Sequence, residues 1–348
     1  MGRAPRIAAT LALALVAALA CQALRVPLPW MIGPLLATAL CGVCGLPVDS
    51  AGPLRNAGQW AIGTALGLYF TPDVVRAIGT LAPALAAGVV WALLLGFGFY
   101  RLLANVSGAA DAEGRATAYF AAAIGGASEM AVLGERHGGR IDRVAAAHSL
   151  RVLIVVLVIP FGYQWAGLHG LDPAPQATLQ VKAPGLLLLI GATVLGGLAM
   201  RALKTPNPWV LGALTVSLLI TGSGFEPSAL PRPLTNLGQL FIGVSLGTRF
   251  TPGFVHTAPR WLGAVAIGSL GMIAASAGFA WVLAQLAGLH WASVLLGTSP
   301  GGIAEMCITA KVLQLGVPVV TAFHVTRYVA VLLCTAPLYR WLERRVRP

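Results

Sequence analysis

The sequence predicts an all-α polytopic membrane protein: two inverted repeats of about five transmembrane helices, each with a broken re-entrant segment. Three observations predict it. Of 348 residues, 57% are hydrophobic and only 10% charged, whereas soluble domains carry about 25% charged residues. With a mean hydropathy of +0.81, such a chain cannot cover a water-facing surface with polar groups. The second observation is a duplication, and the third is the distribution of lysine and arginine.

Four motifs occur twice in the same order. Pro29-Trp30-Met31-Ile32-Gly33 returns as Pro208-Trp209-Val210-Leu211-Gly212. Asn56-Ala57-Gly58-Gln59, followed by Gly63-x-x-x-Gly67 and Phe70-Thr71-Pro72, returns as Asn236-Leu237-Gly238-Gln239, Gly243-x-x-x-Gly247 and Phe250-Thr251-Pro252. Gly125-Gly126-Ala127-Ser128-Glu129-Met130 returns as Gly301-Gly302-Ile303-Ala304-Glu305-Met306. His148-x-x-Arg151 returns as His324-x-x-Arg327. The offsets are 179, 180, 176 and 176, so residues 1–180 form a first membrane repeat and 181–348 a second.

Each repeat reads as six hydrophobic segments. In the first they are Ile7 to Leu24, Leu28 to Leu46, Asn56 to Phe70, Ile78 to Leu103, Ala116 to Leu133 and Val144 to Trp165. In the second they are Pro184 to Leu203, Trp209 to Thr221, Asn236 to Phe250, Trp261 to Leu286, Ser293 to Leu313 and Val317 to Trp341. The first segment has a signal-peptide pattern, with Arg3 and Arg6 ahead of a Leu/Ala run. Pro184 to Leu203 holds the same place in the second repeat, so we read both as permanent helices. The third segment is short of the roughly 20 residues that span a bilayer. The fifth is interrupted by Gly-Gly, and paired glycines loosen a helix.

Lysine and arginine counts choose among topologies. If the fifth segment of each repeat enters and leaves on one side, sixteen basic residues are cytoplasmic. Five, Arg25, Arg76, Lys182, Arg232 and Lys311, are then outside, while Arg151 and Arg327 lie within spans. Twelve full crossings would give 11 against 10, and a re-entrant third segment 13 against 8. The inverted five-plus-five arrangement with both termini cytoplasmic is selected. The net charge of +12 is scattered singly through short loops rather than gathered in a patch, so no nucleic acid is expected as a partner.

Inverted repeats with a discontinuous segment in each half are a common plan of secondary transporters, whose site lies where the broken segments meet. Glu129 and Glu305 are the first candidates there, because a carboxylate at membrane depth is costly unless it is used. The alternative is that each neutralises a buried arginine or caps a half-helix. Three-residue spacing puts His148 with Arg151, and His324 with Arg327, on one helix face. An arginine at depth needs an anion: Glu129, Glu305 or a substrate. The histidines are candidates for proton relay or for structural hydrogen bonding. Asn56, Gln59, Asn236 and Gln239 are secondary polar candidates, read first as interhelical glue beside the Gly63/Gly67 and Gly243/Gly247 pairs. Those glycine pairs suit packing within one chain or in a homo-oligomer. Cys41 and Cys44 have CxxC spacing but no second pair, and no metal or cofactor is expected.

On Leu28-Pro29-Trp30-Met31-Ile32-Gly33-Pro34, the two Gly-Gly-x-x-Glu-Met stretches and the duplication, the chain resembles the AbrB family of bacterial inner-membrane proteins. That family is distinct from the small soluble DNA-binding regulators that share its name. The resemblance implies a bacterial inner-membrane location. It carries two functional labels, regulation of gene expression and ammonia monooxygenase. The six histidines, His137, His148, His169, His256, His290 and His324, form no close cluster along the chain, as an oxygenase metal site would need. The loops are too short for a DNA-reading module. The expectation is therefore a non-enzymatic secondary transporter of a small anionic metabolite, proton-coupled through Glu129 and Glu305, with a membrane sensor that affects gene expression indirectly as the alternative.

Overall fold

The computed structural model describes residues 2–109, 111–170, 180–253 and 259–346. Among them are fifteen α-helices and no strands. The first half gives α1 (Arg3–Ala23), α2 (Pro29–Val43), α3 (Gly52–Gly67), α4 (Pro72–Thr80), α5 (Ala82–Ser107), α6 (Ala112–Ala122), α7 (Ala127–Arg136) and α8 (Ile141–Trp165). The second gives α9 (Ala183–Ala202), α10 (Pro208–Gly222), α11 (Arg232–Gly247), α12 (Pro259–Ala287), α13 (Trp291–Thr298), α14 (Ile303–Leu313) and α15 (Val317–Val346). Six of these, α1, α5, α8, α9, α12 and α15, are long and apolar enough to cross a bilayer. Their outward faces are apolar, with Val16 65%, Leu195 67% and Ile267 70% exposed, as lipid-facing surfaces are.

The fifth segment of each half is two helices rather than one. Residues 123–126 separate α6 from α7, and residues 299–302 separate α13 from α14. The amphipathic α4 was not expected. Its nine residues lack an apolar run, none is buried, and Asp73 and Arg76 pair across one exposed turn at 2.6 Å.

The helices group into two compact units, and each unit draws on both halves of the sequence. The first holds α1 to α4, α9 to α11 and most of α14; the second holds α5 to α7, most of α8, α12, α13 and most of α15. The sequence repeats and the compact units thus divide the chain differently. Within α8 the boundary falls at Pro160, where the missing N–H removes one rung of the helical ladder.

In the first unit the two halves interlock through the glycine pairs. A Cβ on Gly63 or Gly67 of α3 would strike Val210 or Ser217 of α10, and one on Gly243 or Gly247 of α11 would strike Met31 or Thr38 of α2. Both helix pairs therefore approach at backbone contact, the use to which small-xxx-small faces are put in membranes. The helices α3 and α11 cross at Gly58 and Gly238, where a Cβ on Gly58 would lie 2.7 Å from the Gly238 carbonyl. The turns entering α2 and α10 also match. Arg25 and Leu28 have φ of 53° and 47°, and Lys204 and Asn207 have 54° and 47°. Left-handed backbone is tolerated by Asn but disfavoured for Leu; Leu28 is fully buried, so its packing holds the turn.

In the second unit, α5 packs against α6, α12 and α13. Trp91 stacks on Phe279 with ring centroids 4.4 Å apart. Gly268 of α12 makes room for Phe99 of α5, and Gly88 of α5 for Phe323 of α15.

Candidate functional site

Both breaks lie in the second unit, and each is held by the long helix that follows the broken pair, α8 for the first and α15 for the second. A helix end leaves its last carbonyls without intrahelical partners, and these carry the negative end of the macrodipole. At the end of α6 the Arg151 guanidinium meets them: Nη1 lies 3.1 Å from the Ala123 carbonyl oxygen and 3.5 Å from those of Ala121 and Ala122. At the end of α13, Arg327 Nη1 donates to the Ser299 carbonyl and Nη2 to that of Gly301 at 2.6 Å. Arg151 is 2% and Arg327 5% exposed. The anion expected for Arg151 is thus supplied, among the described residues, by backbone carbonyls rather than by a carboxylate.

The histidines complete the same arrangement. His148 Nε2 is 2.9 Å from the Phe120 carbonyl and its Nδ1 is 2.9 Å from Arg151 Nη2. His324 Nε2 is 2.9 Å from the Leu296 carbonyl and its Nδ1 is 2.8 Å from Arg327 Nη2. A carbonyl only accepts and a guanidinium only donates, so each ring has Nε2–H and a bare Nδ1. Both are neutral imidazoles. A second proton on Nδ1 would set N–H against N–H and cost the bond to arginine.

Beyond each break a second half-helix begins, with its glutamate in the first turn. Glu129 folds back over Gly126, where a Cβ would collide with the carboxylate, and Glu305 does the same over Gly302. Gly125 and Gly301 make the same room for Met130 and Met306. This explains Gly-Gly-x-x-Glu-Met: one glycine seats the methionine below the turn and the other leaves space for the carboxylate beside the helix start. Carboxylates are favoured there by the N-terminal dipole. The copies differ in environment. Glu305 is 8% exposed, whereas Glu129 is only half-buried and forms no ion pair among the described residues.

The two arrangements approach each other within this unit. Val155, one turn beyond Arg151 on α8, packs against Gly301, where a Cβ would lie 3.0 Å from it. The structure thus brings together Gly125, Gly126, Glu129, His148 and Arg151 as one cluster, and Gly301, Gly302, Glu305, His324 and Arg327 as its counterpart. Asn56, Gln59, Asn236 and Gln239 lie elsewhere, on α3 and α11 of the first unit. Gln59 donates to Asn207 Oδ1 at 3.2 Å, and Gln239 is buried at 7% exposure. Asn207 in this bond had no sequence signal, since its counterpart is Leu28. His137 rests with Nδ1 2.8 Å from the Leu133 carbonyl; His256 lies outside the described residues. No three His, Cys, Asp or Glu side chains gather among the described residues as metal ligands do.

Six helices long and apolar enough to cross a bilayer, with two helix breaks each held by a buried arginine, are the marks of a multi-pass membrane protein. The chain belongs to the AbrB family: the family described as "Transition state regulatory protein AbrB" matches residues 30–343. It is 27% identical over 343 residues to "Uncharacterized protein YhjN" of Bacillus subtilis (strain 168), covering 90% of this chain and 87% of that one. It is 21% identical over 323 residues to "Putative regulator AbrB" of Escherichia coli (strain K12), covering 92% of each. No solved structure matches.

Proposed function

We propose that this protein is a secondary transporter of a small anionic metabolite in the bacterial inner membrane, coupled to protons through Glu129 and Glu305, with both termini cytoplasmic. The observation that carries this reading is the placement of a carboxylate in the first turn of a half-helix, twice, each after a break whose carbonyls a buried arginine holds. Half-helix N-termini serve as anion seats in transporters built on inverted repeats. An ionised glutamate at such an N-terminus fills the seat with its own charge. When it takes a proton, the first-turn N–H groups are left to hold an incoming anion, while the arginines keep the breaks in place. Proton and anion then bind together, and release of the proton restores the carboxylate, which displaces the anion from the N–H groups. The neutral histidines stay with the arginines as fixed supports.

Flux tests this in proteoliposomes loaded with a panel of small carboxylates and phosphates, comparing the parent with Glu129→Gln/Glu305→Gln. Substrate-specific, pH-dependent flux lost in the double variant is expected. Flux retained with its pH dependence would remove the glutamates from the coupling. A second reading, a membrane sensor that affects gene expression indirectly, is favoured by the regulator names of the family and of the Escherichia coli relative. It would be adopted if the folded protein moved nothing.

A further inference from the structure

The second unit carries a groove that transport does not use. It encloses about 350 Å³ and is walled by α5 (Leu94, Phe97), by the first break (Ala123, Ile124) and by α15 (Val331, Trp341). Its floor is closed to polar ligands. The Tyr119 hydroxyl is committed to the Thr335 carbonyl at 3.0 Å, and the Thr335 hydroxyl to the Val331 carbonyl at 2.5 Å. The rim is apolar and open, with Leu94 60%, Phe97 42% and Trp341 49% exposed.

Along α15 the wall runs from Val331 to Leu342, roughly 16 Å at 1.5 Å per residue. That is close to half of a hydrocarbon core about 30 Å thick, the depth of one leaflet. The deep end is the break itself. The shallow end is basic: Arg340, Arg344 and Arg345 are exposed around Trp341, and the Arg345 guanidinium lies over the Trp341 ring, 4.0 Å from its centroid. Glu343 is the one acid in this turn, so the end remains net positive. An apolar trough of leaflet depth, capped by a tryptophan at headgroup level and a cluster of arginines, matches a lipid in both length and charge.

We infer that this groove is a binding site for one anionic phospholipid, its acyl chain lying between α5 and α15 and its phosphate on Arg344 and Arg345. The chain tip then rests on Ala123, whose carbonyl accepts from Arg151, so that occupancy stiffens the first break. The inference rests on the multi-pass reading and is independent of transport.

The test is tryptophan quenching in nanodiscs containing dibrominated phosphatidylglycerol or dibrominated phosphatidylcholine. The Trp341 signal is taken as the difference between the parent and Trp341→Phe. Stronger quenching by the anionic lipid is expected. That preference should fall about fivefold for each of Arg344→Gln and Arg345→Gln, as surface arginines near anionic lipid are worth about 1 kcal/mol each. Gly96→Leu provides a second arm: a Cβ there meets only ordinary contacts at 3.6 and 3.9 Å, and its branches fill the groove, so quenching by both lipids should drop. Equal quenching by the two headgroups in the parent, or quenching indifferent to Gly96→Leu, would reduce the site to ordinary annular contact and overturn the inference. Cross-linking of two copies through cysteines at Phe97 and Trp341 would overturn it in favour of a dimer surface.

Discussion

Replacing Arg327 separates a structural arginine from a substrate-binding one. Its guanidinium donates to the Ser299 and Gly301 carbonyls and to His324 Nδ1, and it is 5% exposed. A hydrogen bond to a charged group contributes about 1.5 to 3 kcal/mol, and stripping one partner from a buried charged set costs about 3 to 5. Arg327→Met leaves two break carbonyls and the His324 acceptor unmet, so we expect a loss near 4 kcal/mol. Lysine can keep one of the three bonds but not the fork, and should cost about 2 to 3 kcal/mol. Against a typical stability of about 5 to 15 kcal/mol, the methionine variant is severely weakened and the lysine variant still folds. Thermal unfolding can be followed by a thiol-reactive fluorogenic dye, since Cys307 is fully buried two residues beyond Glu305. Cys21, Cys41, Cys44 and Cys334 would be removed to silence the background. If Arg327→Met unfolded at the parent temperature, the role at the break would be refuted. If it did so while abolishing flux, the arginine would belong to the substrate instead.

Four other outcomes are expected, three from the geometry and one from the topology. Gly302→Ala or Gly126→Ala puts a methyl where the Glu305 or Glu129 carboxylate lies; flux should fall at least about tenfold, equivalent to about 1.4 kcal/mol in the barrier, with the thermal transition little moved. Gly243→Leu brings a Cβ within 2.5 Å of the Met31 carbonyl and should destabilise by about 1 to 3 kcal/mol by overpacking. Gly98→Ala, with open space around it, should leave the melting temperature equal or higher, since glycine inside a helix costs about 0.5 to 1 kcal/mol. A reporter inserted between Gly134 and Asp142 should be read in the cytoplasm, and an outside reading would remove the re-entrant topology.

Helix positions were legible because apolar runs bounded by Pro and Gly are strong signals, and Pro29 and Pro208 sit at the first helical position, where proline is favoured. The break in the fifth segment was legible as Gly-Gly. What the glycines do was not, since the need for space beside a carboxylate appears only once Glu129 and Glu305 fold back. The pairing of His148 with Arg151 followed from three-residue spacing. Their partners are carbonyls 28 to 30 residues away in sequence, and backbone acceptors leave no trace in residue identity. The glycine pairs announced packing but not which helix they would meet, so the exchange of α2 and α10 between the halves of the first unit was invisible. The compact units were equally hidden, because each gathers segments far apart in sequence.

The two copies share a frame but not an environment, and that difference yields a test of alternating access. Ser128, beside Glu129, is exposed, while Ala304, beside Glu305, is 8% exposed. Arg327 holds its break with shorter contacts than Arg151 holds the other. A static scaffold would keep this asymmetry under all conditions. A carrier with repeated halves needs a second state in which the loose copy tightens and the tight copy loosens, and substrate must favour one over the other to shift the balance. In a background lacking native cysteines, Ser128→Cys should react with a membrane-impermeant thiol reagent and Ala304→Cys should not. Adding substrate or reversing the pH gradient should slow the first and speed the second. Rates that never change, for any transported compound identified by flux, would make the asymmetry a fixed feature of the fold and leave the glutamates without a second side to face.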